Sequence, residues 1–168
     1  MTSNLCQRIN LSELKKHHYI ICNNAVYSGR VAYFKSPEMR GRVTIFPSGK
    51  LISVGTQSES EAIFELESTK KFLVSKNVIN DIELYFKIQN IVAVASFDKI
   101  LNFEKIIHDY DITYMPEQFP GGILKMLEPY NVTVLLFASG KTVITGLKSE
   151  KQIGLVTKKL MDLINSCT

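Results

Sequence analysis

The stretch FPSGKLISVGTQSE, from Phe46 to Glu59, returns 91 residues later as FASGKTVITGLKSE, from Phe137 to Glu150. Seven of the fourteen positions are identical: Phe46/Phe137, Ser48/Ser139, Gly49/Gly140, Lys50/Lys141, Gly55/Gly146, Ser58/Ser149 and Glu59/Glu150. Further upstream a shift of 92 aligns Asn10 with Asn102, Ile20 with Ile112, Gly29 with Gly121 and Pro37 with Pro129. Two copies of so long a unit exclude a solenoid, which stacks at least three repeats to close its core. They point instead to a duplicated unit with internal two-fold symmetry.

Each copy has the same order of elements. A short helix comes first, in INLSELKKH and in ILNFEKIIHDY, where apolar residues recur three or four apart. Runs rich in β-branched residues, broken by turn residues, predict strands over 18–23, 29–35, 42–47 and 50–55, and again over 110–115, 122–128, 132–138 and 141–147. Ser48-Gly49 and Ser139-Gly140 fall where hairpin turns are expected. A longer helix closes each copy. Ser58 or Ser149 is its N-cap, with Glu61 or Gln152 three residues on, a capping-box pattern. In the second of these helices Ile153, Val156, Leu160, Leu163 and Ile164 form one apolar stripe. The join falls near 76–82, so the repeats are read as 1–80 and 81–168, with ELYFKIQNIVAVASF as one long strand opening the second. The expected class is α+β: an antiparallel sheet from both copies, with helices on one face.

Composition narrows the function classes. At 45% hydrophobic and 21% charged residues the chain reads as an ordinary soluble globular protein. No apolar run approaches the roughly 20 residues of a membrane helix. MTSNLCQRIN lacks the apolar core of a signal peptide, so an intracellular protein is expected, nuclear in a eukaryote and in the cytoplasm or nucleoid of an archaeon. Three cysteines, Cys6, Cys22 and Cys167, share no close spacing, which speaks for reduced thiols over a disulfide framework or a zinc knuckle. His17, His18 and His108 do not combine with acids at ligand spacings, and no G-x-S-x-G, P-loop or paired catalytic carboxylate occurs; neither an enzyme nor a cofactor is expected. The net charge is +4, unevenly placed: residues 1–80 hold seven Lys and four Arg against six Glu, and residues 81–168 nine Lys against ten acids. A basic half is compatible with a polyanionic partner.

Alternation shows which residues share the sheet face opposite the helices. If Phe137 points outward, Leu135 and Thr133 accompany it, and Val143 and Thr145 follow on the next strand. That face is apolar, and an open apolar face needs a partner to account for it. Pattern alone leaves open whether these residues are the open face or the core.

QNIVAVASF, YMPEQFPGGILKMLEP and LLFASGKTVITGLKSE stand in an order and spacing similar to the second half of the TATA-box-binding protein core. The duplication and its period of about ninety residues agree. The resemblance is strong over residues 83–165 and weaker over 1–80. It implies a saddle of two repeats whose concave sheet presses into the DNA minor groove, with helices on the convex side. The wedging of rings between base steps is established for that family and is not deduced from these residues. It suits them, since the minor groove of A·T pairs offers degenerate acceptors that an apolar surface with few donors tolerates.

Carried over by position, the resemblance implies that Phe119 and Phe137 are the wedges, with Pro120 beside the first. Asn90 becomes the donor to minor-groove acceptors. Val92, Leu135, Val143 and Thr145 become apolar and hydroxyl contacts, and Lys125, Lys141 and Lys148 backbone-holding cations. Glu117, in MPEQFPG, stands where a transcription factor IIB-like protein is met. In copy one Phe46, Lys50, Ile52 and Val54 take the corresponding roles, with Tyr27 where the first wedge Phe is expected and Val54 where a Thr is expected. Val26, Tyr33, Glu38 and Gln57 fall where the family tends to be basic, with Arg30, Arg40 and Arg42 near enough to compensate. The copy-one counterpart of Asn90 would precede residue 1, so the first strand is expected to be short. The residues themselves leave alternatives: Asn90 as a strand-edge turn residue, the phenylalanines as core, the lysines as plain surface charges.

The implied function is a basal transcription initiation factor that binds and bends A·T-rich promoter DNA and recruits a factor IIB-like protein and RNA polymerase. The alternative is a divergent relative serving as a protein–protein scaffold with weak or altered DNA binding. So much exposed apolar surface also leaves room for a homodimer when DNA is absent.

Overall fold

The computed structural model describes residues 1–22 and 30–166. The chain divides into two compact units, Met1–Gln89 and Asn90–Thr168. The first runs β1 (Thr2–Asn4), α1 (Leu11–Leu14), β2 (Ile20–Ile21), β3 (Ala32–Phe34), β4 (Arg42–Ile45), β5 (Lys50–Val54) and α2 (Glu59–Ser75). The second repeats the order as β6 (Ile91–Ser96), α3 (Phe103–Asp109), β7 (Ile112–Thr113), β8 (Gly121–Met126), β9 (Val132–Phe137), β10 (Lys141–Leu147) and α4 (Glu150–Ser166). Each unit has its own five-stranded antiparallel sheet, ordered β1-β5-β4-β3-β2 and β6-β10-β9-β8-β7.

The residues repeated in sequence perform the same local tasks. Asn10 and Asn102 both cap their short helices, accepting from the backbone N–H of Ser12 and of Glu104. Gly49 and Gly140 sit in the hairpin turns with φ of +85° and +80°. A Cβ there would be strained by that φ and would run into the carbonyl of Gln7 in one unit and of Phe97 in the other. Ser58 Oγ accepts from Glu61 N at 3.1 Å, as an N-cap should. The Glu61 carboxylate reaches back to Gln57 N at 2.8 Å rather than to the N-cap N–H, one residue further than the capping-box pattern expects.

In each unit the long helix lies on one sheet face and seals an apolar core. On β9, Val132, Val134 and Leu136 are buried and Thr133, Leu135 and Phe137 are not; on β10, Thr142 and Ile144 are buried beside the half-open Val143 and Thr145. Val156, Leu160, Leu163 and Ile164 of α4 complete that core, which fits the expected apolar stripe.

The long strand expected from residue 83 onward is corrected. β6 begins only at Ile91, and the residues up to Gln89 belong to the first unit. Leu84 and Ile79 are buried in the first core. Gln7 exchanges hydrogen bonds with the backbone of Asn80, and Lys70 reaches the Ile82 carbonyl at 3.0 Å and the Asp81 carboxylate at 3.3 Å. Lys87 pairs with Thr2 through two backbone bonds of 2.9 Å. An apolar, β-branched run therefore ends as two pieces, because non-local partners claim its first half.

Candidate nucleic-acid interface

Across the second sheet the residues opposite the helices form aligned rows. One runs Val94, Val143, Leu135, Ile123, Thr113 over all five strands. The next runs Val92, Thr145, Thr133, Lys125. On the far side Phe137 stands opposite Gly121, and Lys141 opposite Ser96. Cross-strand partners project to the same side, so the alternation in sequence becomes a continuous surface. Val92 and Val94 are 56% and 64% exposed, a level that marks this face as uncovered.

At one corner the Phe119 and Phe137 rings meet edge to face, with centroids 5.7 Å apart and planes at 61°. Gly121 makes room for them: a Cβ there would lie 2.8 Å from Phe119 Cε1 and 3.3 Å from Phe137 Cδ1. Both rings are half-buried, so they belong to this surface and not to the core. Pro120 beside them is exposed. Glu117 is exposed on the turn over 116–118 that leads into Phe119, whose N–H bonds the Met115 carbonyl at 2.9 Å.

Asn90 lies at the opposite end of the face. Its Oδ1 accepts from Gly146 N at 2.8 Å, and its Nδ2 reaches Thr145 Oγ1 at 3.4 Å. These two contacts fix which end of the amide carries the oxygen and leave one Nδ2 hydrogen unused by them. Lys125, Lys141 and Lys148 are exposed around the surface. The sequence-predicted strand residues of this unit are thus brought to one face, with Glu117 and Pro120 exposed on the segment that leads into β8 and Lys148 exposed just past β10.

In the first sheet one row likewise crosses five strands: Thr2, Ile52, Thr44, Tyr33, Ile21. Val54 faces Arg42 and Lys50 faces Asn4 across adjacent strands. Ile52, Val54, Lys50 and Phe46 share this side, Phe46 half-buried at the start of the β4–β5 turn. Tyr27 and Val26 lie outside the described residues. β1 is three residues long against six in β6.

Three features of these faces escaped the sequence reading. Val94 follows Val92 in the alternation of IVAVAS, which puts both on the open side. Gly121 was aligned with Gly29 for its identity, but its role as a seat for two rings needs their geometry. The Arg42 guanidinium lies 4.6 Å from the centroid of the Tyr33 ring, a contact that depends on strand register.

Among the described residues no group of three or more His, Cys, Asp or Glu is placed to hold a metal, and no helix is long and apolar enough to cross a membrane. Burial pushes the Cys22 thiol up, with Lys15 opposing, and Cys6 and Cys22 are free thiols.

Fold and face define a duplicated α+β protein with an uncovered apolar sheet face in each unit. The family model described as "Transcription factor TFIID (or TATA-binding protein, TBP)" matches residues 85–167. The TATA-box-binding protein of Cenarchaeum symbiosum is 35% identical over 166 residues, covering 98% of this chain and 90% of that one. That of Methanocaldococcus jannaschii is 38% identical over 153 residues, covering 86% and 81%. The solved structure of Methanococcus jannaschii TBP superposes with a TM-score of 0.85 at 30% identity, over 98% of this chain and 94% of that one. The chain belongs to the TATA-box-binding protein family, a family of transcription factors and not of enzymes.

Proposed function

We propose that the chain is a basal transcription factor that binds and bends A·T-rich promoter DNA through the minor groove. Bound, it recruits a transcription factor IIB-like protein and RNA polymerase. The observation that carries this reading is the Phe119–Phe137 ring pair seated over Gly121 at the corner of an uncovered apolar face. Rings so placed enter a base step together; unstacking costs a few kcal/mol and is offset by the apolar surface that the bent duplex then covers.

The chemistry of the face favours A·T pairs. The A·T minor groove shows only acceptors, adenine N3 and thymine O2, whereas guanine adds its N2 amino donor. Asn90, with its oxygen accepting from Gly146 N and one Nδ2 hydrogen directed at Thr145 Oγ1, keeps a second N–H to offer to an acceptor. Val92, Leu135 and Val143 fill the groove floor, Thr145 adds a hydroxyl, and Lys125, Lys141 and Lys148 hold phosphates on the flanks. Phe46, Lys50, Ile52 and Val54 do the same work in the first unit. Glu117, exposed beside the ring corner, is the contact for the factor IIB-like protein.

Anisotropy titrations with three short duplexes test this: A·T-rich, G·C-rich, and inosine·cytosine. Inosine lacks the N2 amino group, so its minor groove resembles that of A·T while its major groove resembles that of G·C. Tight binding to the A·T-rich and inosine·cytosine duplexes, with the G·C-rich one rejected, is expected. Discrimination following the major groove, or no preference, would refute minor-groove recognition. No binding to any duplex would favour the scaffold.

A further inference from the structure

We infer that Thr44 is a specificity-determining residue of the first sheet, through which that unit admits a G·C pair where the second unit, with Leu135, demands A·T. This rests on the reading that the open sheet faces enter the minor groove. Strand order and register put Thr44 and Leu135 at the same place. Each lies on the middle strand of its sheet, two residues before a half-buried phenylalanine, Phe46 or Phe137. Around Leu135 the central row is hydrocarbon, with Val143 on one side and Ile123 on the other. Around Thr44 it is Ile52 and Tyr33. The second unit keeps its hydroxyls, Thr145 and Thr133, one row away, where the first has Val54 and Arg42. The hydroxyl has changed rows between the units.

Of the hydroxyls in the first unit's central row, that of Thr44 is the one left open to a ligand. Thr2 is 8% exposed, and its Oγ1 accepts from Gln89 Nε2 at 2.9 Å. The Tyr33 ring is covered on one face by the Arg42 guanidinium, 4.6 Å from its centroid. Thr44 is half-buried, and no hydrogen bond engages its Oγ1 among the described residues. A threonine hydroxyl both donates and accepts. It can donate to adenine N3 or thymine O2, and it can accept from the N2 amino group that guanine alone adds to the minor groove. A leucine in that place covers the guanine amine without replacing the water it loses, and a buried donor left unpaired is costly. Thr44 therefore serves both kinds of pair, and Leu135 serves only the pair that carries no donor.

The test is a set of anisotropy titrations on A·T-rich duplexes in which G·C replaces A·T, first as a single pair walked along the site and then as two pairs, one on each side of its centre. The proteins are wild type, Leu135→Thr, and Thr44→Val, which removes the hydroxyl at nearly constant volume. At one distance from the centre, on either side, wild type is expected to accept a single G·C pair at less than about threefold loss, because it can turn round to lay Thr44 over it. G·C pairs on both sides at that distance should cost it roughly 5- to 150-fold, the range for one unsuited base pair. Thr44→Val should pay that loss for a single pair as well, with its affinity for the A·T-rich duplex kept within about twofold. Leu135→Thr should accept G·C on both sides. A single pair that costs wild type the full loss at every position overturns the proposal alone, as does wild-type tolerance of both pairs or tolerance of one that survives Thr44→Val. An equal loss on every duplex in Thr44→Val overturns it too, making Thr44 a general contact. Inosine·cytosine at the same places lacks the amino group and should cost every protein little. If it costs as much as G·C, the faces do not read the minor groove, and the proposal falls with that reading.

Discussion

Beneath their long helices the two units solve the same packing problem with different chemistry. In the first, the Glu65 carboxylate is 1% exposed and accepts from Gly41 N at 2.6 Å and Ser53 Oγ at 2.8 Å, while Thr69 Oγ1 donates to the Glu65 carbonyl at 2.7 Å. In the second, 91 residues on, the places of Gly41, Ser53, Glu65 and Thr69 are held by Val132, Ile144, Val156 and Leu160, all buried. One helix is keyed to its sheet by directional bonds and the other by apolar fill. The fold tolerates both because every buried polar atom of the key has a partner, which keeps the burial cost of a carboxylate from being decisive. Gly41 is part of that key: a Cβ would run into the Val54 carbonyl and meet both Glu65 oxygens at 3.0 Å.

The contrast can be broken most forcefully at Glu65. Glu65→Ala leaves the Gly41 N–H and the Ser53 hydroxyl buried without acceptors, at roughly 1–3 kcal/mol each, so a denaturant titration should lose about 2–6 kcal/mol. Leu160→Ala, at the place of Thr69 in the second unit's apolar core, should cost about 2–5 kcal/mol through a cavity. A loss below about 1 kcal/mol for Glu65→Ala would mean that the carboxylate is not a key. Gly140→Ala and Gly49→Ala should each cost at least about 1–3 kcal/mol from φ strain alone, equally in both units if the duplicated turns are equivalent. The sharpest form of the comparison is the transplant Glu65→Val with Ser53→Ile, which writes the second unit's chemistry into the first. Replacing a buried charge and its partner by apolar groups of suitable volume is often neutral or stabilising. Calorimetry should show a smaller fall than for Glu65→Ala, because only the Gly41 N–H is left without its acceptor; a fall as large as that of Glu65→Ala would mean that the first core cannot accept the second's packing.

Much of this was legible in the sequence. The duplication located both turn glycines, because φ > 0 is a demand that few residues meet; it paired Asn10 with Asn102, and the structure shows that both are helix caps. Alternation placed Leu135, Phe137, Val143 and Thr145 on one face, and the structure leaves that face uncovered. What stayed hidden depends on partners far away in sequence. Residues 83–89 look like strand continuous with β6, yet Lys87 pairs with Thr2. Glu65 looks like a solvent-facing helical residue until Ser53 and Gly41 are folded against it. The Arg42–Tyr33 stack exists only in the observed register, diagonal across β4 and β3.

On the open faces the smallest stability effects go with the largest functional ones. Glu117→Arg, at an exposed turn, should leave stability within about 0.5 kcal/mol and DNA affinity nearly unchanged, while weakening capture of the factor IIB-like protein in a pull-down on promoter DNA. Loss of DNA affinity instead would move Glu117 off the partner surface.

The most direct test of the DNA-bending account is end-to-end energy transfer on a doubly labelled A·T-rich duplex, titrated with wild type and with Phe137→Ala, each checked by thermal melting. Wild type should raise the transfer, and Phe137→Ala should fail to do so while melting close to wild type. Bending that survives Phe137→Ala, or a variant that unfolds, would contradict the assignment of that ring to an open, DNA-wedging face.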